Sequence, residues 1–439
     1  GSGGRYIAVV EERQLEQFAN RGYDVLDKIR ALDPGVSLSM SIGIGRGART
    51  LREAQDMAEH ALDMAQGRGG DQAAEMTLDG FTFYGGVSHG VEKRSKVRSR
   101  LVADQLVKLI KEADHVVIMG HRMSDLDAIG AAEGVLRICK ICDVPAVIAV
   151  RRDATLAASL IDALCKAGQK DDFIDPKDAL PIISKRTLCI VVDTYQAGLV
   201  ESKDILEKCG KVAVIDHHRK GVGYIENPAL VCHEPYSSSA SELVTELLQY
   251  VGERDDKPNR MEAEGLLAGI LLDTQDFTLH TGVRTFEAAA ALRRYGAETE
   301  RVRRLFDVTM VEYNAKADLV EKAQMYKNCA ISIGGEVAPE ARVAIAQAAN
   351  DLLRIQGVDA SFVAVQVGNG VNVSARSMGA VNVQVIMESL GGGGHQTMAA
   401  AQLKHITPQA ARSRIQDAID QYYLSQKKTT PEARPAKGE

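Results

Sequence analysis

Short apolar runs alternate with longer amphipathic stretches through the middle of the chain. Four runs are rich in β-branched residues and are bounded by polar or turn-forming residues: HVVIMG, PAVIAV, LCIVVD and KVAVID, which begin at positions 115, 145, 188 and 211. Nearly continuous apolar strands separated by helical patterns are typical of a parallel sheet with both faces covered. Ligands of such sheets bind at the carboxyl ends of the strands. We therefore predict an α/β fold with a parallel sheet over residues 113–298.

The beginning of the chain has the pattern of a smaller α/β unit, which we place at residues 5–84. Apolar runs predict strands at RYIAVV and SLSMSIGIG and an edge strand at MTLDGFTFYGG. Helical spacing predicts one helix from Gln14 to Leu32 and another from Leu51 to Gln66, which the glycines at 67, 69 and 70 would end.

Helical patterns at residues 85–112 and 299–328 predict two linker helices on either side of the central region. The following segment, 329–425, is predicted to be a small α/β domain with strands at ARVAIAQ, ASFVAVQVGN and GVNVSARS. The last residues, 426–439, contain too few apolar side chains to pack, and we expect them to be disordered.

Composition narrows the class of protein. With 439 residues, 45% hydrophobic and 26% charged, and a formal net charge of −6, the chain suits a soluble globular protein for which duplex nucleic acid is a poor partner. Seven cysteines without a framework of spacings predict free thiols in a reducing compartment. Cys139 and Cys142 form a CxxC within an apolar stretch, which favours structural thiols over a metal site. No apolar run reaches the roughly 18 residues of a membrane span.

Acidic and imidazole side chains collect where the predicted strands end. The first strand runs into His121, Asp125 and Asp127, the third ends at Asp193, and the fourth ends at Asp216, His217 and His218. The apolar helix EGLLAGILLD delivers Asp273 at its end. Each residue alone is explained as a turn former, a helix cap or a core histidine. Together they are costly to gather without a cation, so we predict a metal centre.

The chemistry of these ligands limits the choice of metal. Oxygen and nitrogen ligands without thiolate suit manganese, magnesium or iron better than structural zinc. Four carboxylates would neutralise two divalent ions, which favours a binuclear site with a bridging aspartate.

A run of glycines in the third segment, Gly391 to Gly394 before His395, can aim several backbone amides at one anion. Upstream, Arg376 and Ser377 offer a guanidinium and a hydroxyl suited to phosphate. We predict a phosphate-binding site there.

These motifs resemble a known superfamily. GHRMSDLDAIG, VVDT, VIDHH and AGILLDT are similar to the ordered motifs of DHH phosphoesterases, and GGGGH is similar to the signature of the DHH-associated domain. The intervening segments, with SIGIG and AEHALDMAQGRGGDQ near the start, resemble the GdpP-type cyclic-di-AMP phosphodiesterases, which carry a degenerate α+β GGDEF domain. The GG[DE]EF sequence of a cyclic-dinucleotide synthase is absent, so we expect no cyclase activity.

The resemblance implies a role for each residue. His121, Asp125 and Asp193 would hold one Mn²⁺, and Asp193 would bridge to a second one. The second ion would also be held by Asp127, His217 and Asp273. Asp216 would support His217, and His218 would lie near the phosphate or the attacking water. Substrate phosphate would be held by Arg376, Ser377, Gly393, Gly394 and His395. Tyr195 and Gln196 depart from the family pattern, which puts the grip on substrate near that loop in doubt.

The function implied by the resemblance is manganese-dependent hydrolysis of cyclic di-AMP to linear 5'-pApA. Two alternatives stay open: a DHH nuclease that cleaves short linear oligonucleotides such as pApA to AMP, and a cyclic-dinucleotide sensor without catalysis. The resemblance also implies a full-length protein at the cytoplasmic face of the cell membrane, whereas this chain itself is expected to be soluble. We also predict a homodimer. The GGDEF remnant could bind a nucleotide, dimerise the chain or transmit signals.

Overall fold

The computed structural model describes residues 6–30, 32, 39–85, 96–220, 223–253, 256–336, 343–394 and 397–429. The chain divides into two compact units, Gly1–Phe306 and Asp307–Glu439. Each unit has its own hydrophobic core.

The first unit is built on a parallel sheet. In the described residues its strand order is β6-β5-β4-β7-β8-β9, and every neighbouring pair is parallel. Its strands are β4 (Val116–Met119), β5 (Ala146–Ala149), β6 (Phe173–Ile174), β7 (Leu188–Val192), β8 (Lys211–Asp216) and β9 (Leu230–His233). Every residue of β4 and β7 is buried, as expected for strands covered on both faces. The four predicted strands and the predicted α/β parallel sheet are confirmed.

Helices cover this sheet, and three of them position the site. They are α5 (Leu126–Ile141), α9 (Ala240–Leu248) and α10 (Arg260–Thr274). Asp125 caps the start of α5, where its side chain accepts the amides of Asp127 and Ala128. The other helices of this region are α4 (Lys96–Glu112), α6 (Ala158–Leu164), α7 (Pro176–Ala179), α8 (Lys203–Lys208), α11 (Val283–Arg294) and α12 (Thr299–Arg304).

The N-terminal segment, residues 6–85, forms a smaller α+β arrangement. Its elements are α1 (Glu12–Asn20), α2 (Val25–Arg30), β1 (Ile42–Gly45), α3 (Leu51–Gly67), β2 (Gln72–Thr77) and β3 (Gly80–Gly85). The helix predicted from Gln14 to Leu32 is interrupted, because Gly22 and Tyr23 adopt left-handed backbone angles. The strand predicted at RYIAVV was wrong for residues 6–10, which pair with no strand in the described part of the chain and are exposed. The single edge strand predicted at MTLDGFTFYGG contributes to an antiparallel hairpin, β2 with β3.

The second unit contains a mixed sheet in the order β10-β11-β12-β13-β15-β14 within its described residues. The strands are β10 (Gln324–Tyr326), β11 (Cys329–Glu336), β12 (Ala360–Val367), β13 (Gly370–Ser377), β14 (Gly393–Gly394) and β15 (Met398–Lys404). Its helices are α13 (Met310–Glu321), α14 (Val343–Leu352), α15 (Val383–Ser389) and α16 (Pro408–Thr429).

Two predictions for this part of the chain were wrong. ARVAIAQ was predicted as a strand, but its described residues begin α14, whose buried Ala344, Ile345, Ala348 and Leu352 recur at helical spacing. The single linker helix predicted over 299–328 is two helices, since α12 ends at Arg304 and a capping box at Thr309 begins α13.

The predicted disordered tail is partly helical, because α16 continues to Thr429. Residues 430–439 lie outside the described residues. None of the seven cysteines, all of which lie in the described residues, forms a disulfide, and Cys139 is buried while Cys142 is half-buried. Within the residues described, no helix combines the length and apolar character that a membrane span needs.

Candidate metal centre

The carboxyl ends of three adjacent strands bring the predicted ligands together. β4, β7 and β8 are neighbours in the sheet, and they lead directly to His121, Asp193 and His217. Helix α5 adds Asp125 and Asp127 at its start, and the last turn of α10 adds Asp273. Residues separated by up to 152 positions in the sequence thus meet at one edge of the sheet.

One group of side chains consists of His121, Asp125 and Asp193. His121 Nε2 lies 3.5 Å from Asp193 Oδ2 and 3.8 Å from Asp125 Oδ1. The other ring nitrogen, Nδ1, lies 2.8 Å from the carbonyl oxygen of Arg122, to which it can only donate. This hydrogen bond selects the tautomer whose Nε2 lone pair faces the two carboxylates, as a metal-binding histidine requires.

A second group consists of Asp127, Asp193, His217 and Asp273. His217 Nε2 lies 3.0 Å from Asp273 Oδ2, 3.3 Å from Asp193 Oδ1 and 3.9 Å from Asp127 Oδ2. Asp193 belongs to both groups and offers a different oxygen to each histidine. The arrangement is that of two ligand sets that share one carboxylate.

Asp193 combines an uncommon backbone angle with a buried side chain. Its backbone φ is +59°, a left-handed angle that aspartate tolerates better than most residues and that is often found at functional sites. Its side chain is 3% exposed, and its Oδ1 atom is buried without a well-aligned hydrogen bond in the described structure. His217 Nε2 is likewise buried without a well-aligned hydrogen bond in the described structure. Unsatisfied polar atoms facing one another are costly unless a further group, such as a cation, lies between them.

Asp127 is fixed by a helix terminus. It is completely buried, and its two oxygens accept the backbone amides of Ala240 and Ser241 at 2.7 and 2.8 Å. These amides lie at the N-terminus of α9, where the helix dipole favours a negative charge. Sequence reasoning missed these two donors. The available signal was Ser239 followed by Glu242, a helix-start pattern in which the Ser239 side chain accepts the Glu242 amide.

Asp216 contacts a different histidine from the one predicted. It was predicted to support His217, but its Oδ1 lies 2.9 Å from His218 Nδ1 and also accepts the His218 amide at 3.2 Å. The chain bends after β8, so that both the amide and the ring of His218 lie beside the Asp216 carboxylate. His218 Nδ1 also lies 3.5 Å from Asp193 Oδ1, which keeps the ring beside the shared carboxylate.

The ionisation of the site reflects crowded charges in a buried space. Burial raises the pKa of Asp127, and the charges of Asp193 and Asp273 raise it further. Burial would lower the pKa of His121, but Asp125 and Asp193 beside it raise that pKa to about 11. Burial would also raise the pKa of Asp193, yet the nearby His121 and His217 lower it. A divalent cation that binds here would displace the protons of His121 and Asp127, whereas Asp193 already carries its negative charge.

The donor set therefore fits divalent metal. It offers carboxylate oxygens and imidazole nitrogens without a thiolate, and its ligand atoms lie within 4.8 Å of one another in each group. Hard cations such as manganese or magnesium suit these donors.

The second unit contains the predicted phosphate-binding residues. Arg376 lies on β13 opposite Met398 of β15, while Gly394 of β14 pairs with Ala399 on the other side of β15. The guanidinium is largely buried, with Nε unpaired among the described residues, and burial lowers the pKa of Arg376. Ser377 is buried and accepts the Gly379 amide, and Gly393 is half-buried. His395 lies outside the described residues.

Tyr195, one of the two residues that depart from the family pattern, is buried, with 6% of its surface exposed. Its ring packs against Tyr224 and His233, with centroid distances of 5.8 and 5.6 Å. Gln196 pairs through its backbone with Tyr224. These contacts connect the segment after β7 to Tyr224 and to the end of β9.

Three family models match the chain. The GGDEF domain of the "Cyclic-di-AMP phosphodiesterase GdpP-like" type matches residues 2–79, the "DHH family, N-terminal domain" matches 115–270, and the "DHHA1 domain" matches 338–424. The resemblance predicted from the motifs is confirmed.

Relatives and a solved structure agree with these matches. The chain is 44% identical over 430 residues to the "Cyclic-di-AMP phosphodiesterase GdpP" of Geobacillus thermodenitrificans and 42% identical over 431 residues to that of Bacillus subtilis. These alignments cover 96% and 95% of this chain, which spans 65% of the length of each relative. An exopolyphosphatase-related protein from Bacteroides fragilis has the same fold, with a TM-score of 0.64 and 19% identity over 75% of this chain and 98% of that one.

Proposed function

We propose that this chain, which belongs to the DHH family and joins a DHH domain to a GdpP-like GGDEF domain and a DHHA1 domain, hydrolyses cyclic di-AMP. The product would be linear 5'-pApA, and the reaction would depend on two divalent ions, with manganese preferred. The relatives named as cyclic-di-AMP phosphodiesterases support this choice of substrate.

The observation that carries the proposal is the sharing of Asp193 between two ligand groups. One ion would be held by His121, Asp125 and Asp193. The other would be held by Asp193 and by Asp127, His217 and Asp273. Two ions at such a site supply Lewis acidity and a water activated for in-line attack on phosphorus.

The remaining residues would orient the reactants. His218, whose Nδ1 is held by Asp216, would use its Nε2 to hold the attacking water or a phosphate oxygen. In the second unit, Arg376, Ser377 and the glycine run with His395 would hold substrate phosphate. The domain boundaries, the homodimer and the location at the membrane face remain predictions.

The sharpest test replaces the shared carboxylate by an amide of the same shape. Asp193→Asn tolerates the left-handed backbone but loses the negative charge between the two groups. We expect the rate of cyclic di-AMP hydrolysis in manganese to fall below about one hundredth of wild type, because loss of even an outer-shell partner of a metal ligand costs roughly 10- to 100-fold. Chromatography of the products measures the rate.

Asp143→Asn is a matched control, since Asp143 also has a left-handed backbone, with φ of +57°, and is separate from both ligand groups. Its rate should equal that of wild type. A wild-type rate in Asp193→Asn would contradict the proposal.

Parallel incubations with cyclic di-GMP and pApA separate the alternatives. Faster cleavage of pApA to AMP than of cyclic di-AMP would favour the nuclease. Tight binding of cyclic di-AMP in calorimetry without any product in manganese would favour the sensor.

A further inference from the structure

The end of α3 in the N-terminal segment contacts the loop that carries two of the site histidines. The amide of Lys220 donates to the carbonyl oxygen of Gly67 at 2.8 Å. The hydroxyl of Tyr236 donates to the carbonyl oxygen of Gly69. Both contacts lie within the first compact unit. They use backbone carbonyls at a helix terminus, which have no partner within the helix itself.

Lys220 connects this contact to the metal centre. It follows His217 and His218 by three and two residues, so its backbone fixes the end of their loop. Its ammonium group lies 3.8 Å from the centroid of the Tyr224 ring and 5.3 Å from that of Tyr195. A cation over aromatic rings is attracted to them, and the attraction grows when the site is partly desolvated.

Tyr195 carries the connection to the shared carboxylate. It follows Asp193 by two residues, and its carbonyl oxygen accepts the amide of Ile225 at 2.9 Å. The Lys220 side chain thus connects the loop after β8, which contains His217, to the segment after β7, which begins with Asp193.

Tyr236, which contacts Gly69, lies on the segment after β9, and the start of that segment contacts the same loop. It lies three residues after His233, whose Nε2 is 2.5 Å from the carbonyl oxygen of His218. The neighbouring Glu234 donates its amide to the carbonyl oxygen of Asp216 at 3.1 Å. The loop with the histidines is therefore held between the strand end at β9 and the end of α3.

We infer that the end of α3 positions the His217–His218 loop for metal binding, with Lys220 and Tyr236 as positioning residues. Metal ligands tolerate only small displacements, and groups that orient them contribute measurably to affinity. The GGDEF-like domain then has a role in this chain that requires no nucleotide synthesis: it supports the metal centre mechanically. Where turnover is the readout, the inference rests on the proposed function.

A substitution in the N-terminal segment tests this coupling from a distance. An alanine at position 67 would place its Cβ 2.7 Å from Lys220 Cβ and 2.8 Å from Lys220 Cδ, so the Lys220 loop must move. Alanine is the better helix former, and Gly67 is the last residue of α3, so the helix itself should not be weakened. Gly198→Ala is the matched control, because no atom lies within 4 Å of its added Cβ.

We expect Gly67→Ala in the full chain to raise the dissociation constant for Mn²⁺ in calorimetry by about three- to tenfold, the effect of losing one or two hydrogen bonds. The manganese concentration for half-maximal turnover should rise equally, whereas the KM for cyclic di-AMP should stay unchanged. A purely structural contact would lower the melting temperature without this selective effect on manganese.

Tyr236→Phe removes the hydroxyl and adds no atom, so it carries the test if Gly67→Ala unfolds. Its dissociation constant for Mn²⁺ should rise about threefold. Tyr250, a half-buried tyrosine just after α9, takes no part in the contacts with the end of α3, so Tyr250→Phe should behave as wild type. Wild-type manganese binding in both Gly67→Ala and Tyr236→Phe would overturn the inference. If the wild-type chain cleaves no cyclic dinucleotide, the proposed function fails, yet calorimetry still decides whether α3 positions the loop.

Discussion

Helix α5 contains two buried carboxylates that differ in their hydrogen-bond donors. Asp127 accepts two backbone amides from the start of α9. Glu133, six residues later, is also fully buried, but only its Oε2 accepts a hydrogen bond, from Gln169 at 3.1 Å. Its Oε1 has no partner in the described part of the structure. The two carboxylates therefore differ in their donors, since two backbone amides at a helix start face Asp127 and a single side-chain amide faces Glu133.

The pKa of Glu133 makes this difference measurable. Burial, followed by the charges of Glu262 and Asp172, raises that pKa from 4.5 to about 8. Between these values the unfolded chain loses the proton while the folded chain keeps it, so stability falls as pH rises, by roughly 1.4 kcal/mol per pH unit. We predict that Glu133→Gln removes this decline.

Urea unfolding at pH 5 and pH 8 checks this prediction. The free energy of unfolding of wild type should fall between the two pH values more steeply than that of Glu133→Gln. Equal pH dependence in the two proteins would show that Glu133 is ionised in the folded state. The charge on Asp172, which also affects Glu133, is balanced by Lys140 at 2.7 Å in both proteins.

At the scale of elements, the approach of α5 to α10 sets the distance between two of the site acids. Helix α5 carries Asp127 and α10 carries Asp273, and the helices touch at glycines. A Cβ added at Gly130 would lie 2.4 Å from the carbonyl oxygen of Gly265, and one added at Gly269 would lie 2.6 Å from Asp127 Oδ1. The absence of side chains at these positions allows the two acids to approach the same histidine.

We predict that Gly130→Ala destabilises the protein and weakens manganese binding together. Alanine improves helix propensity by up to about 1 kcal/mol. Overpacking against a backbone atom that cannot move aside costs about 1–3 kcal/mol, so the net free energy of unfolding should fall by up to about 2 kcal/mol. Denaturant unfolding measures that loss, and calorimetry measures the manganese affinity.

Gly198→Ala, with open space around its added Cβ, should change neither quantity. Unchanged stability of Gly130→Ala would mean that the two helices separate without cost. Lower stability with normal manganese affinity would mean that the distance between Asp127 and Asp273 does not depend on this contact.

At the scale of the whole molecule, the sequence predicted the strands whose local pattern of apolar residues identifies them. The runs ending at Asp193 and Asp216 predicted strands because β-branched residues fill them, and parallel strands place their ends at one edge. His121 and Asp127 were predicted from the end of the first strand and Asp273 from the end of an apolar helix, and the resemblance to a family added only which ion each would hold. The helix at Val343–Leu352 was misjudged because a short apolar run does not distinguish helix from strand.

Contacts between distant segments could not be predicted in this way. The amides of Ala240 and Ser241 that hold Asp127 come from more than 100 residues away, and Gly67 and Lys220 are 153 positions apart. The spacing of apolar residues indicates which face of a helix or strand is buried, but it does not indicate which distant residue contacts that face.

The division into two units predicts how manganese should affect stability. All six proposed ligands belong to the first unit, and the cores of the two units consist of different residues. A ligand stabilises only the part of the chain that binds it, by about 2.7 kcal/mol at a concentration 100 times its dissociation constant. Hydrogen exchange followed by mass spectrometry should therefore show that manganese protects β4, β7 and β8 and leaves β12 and β13 unchanged.

Asp193→Asn provides the control for this prediction, since its exchange should be the same with and without manganese. Removing the metal from wild type with a chelator should restore the exchange rates of the metal-free chain in the first unit. Equal protection of both units by manganese would mean that they unfold as one cooperative body. Protection that persists in Asp193→Asn would place the bound ion elsewhere in the chain. Either result would mean that stabilisation by manganese does not arise from its binding to the two groups that share Asp193 in the first unit alone.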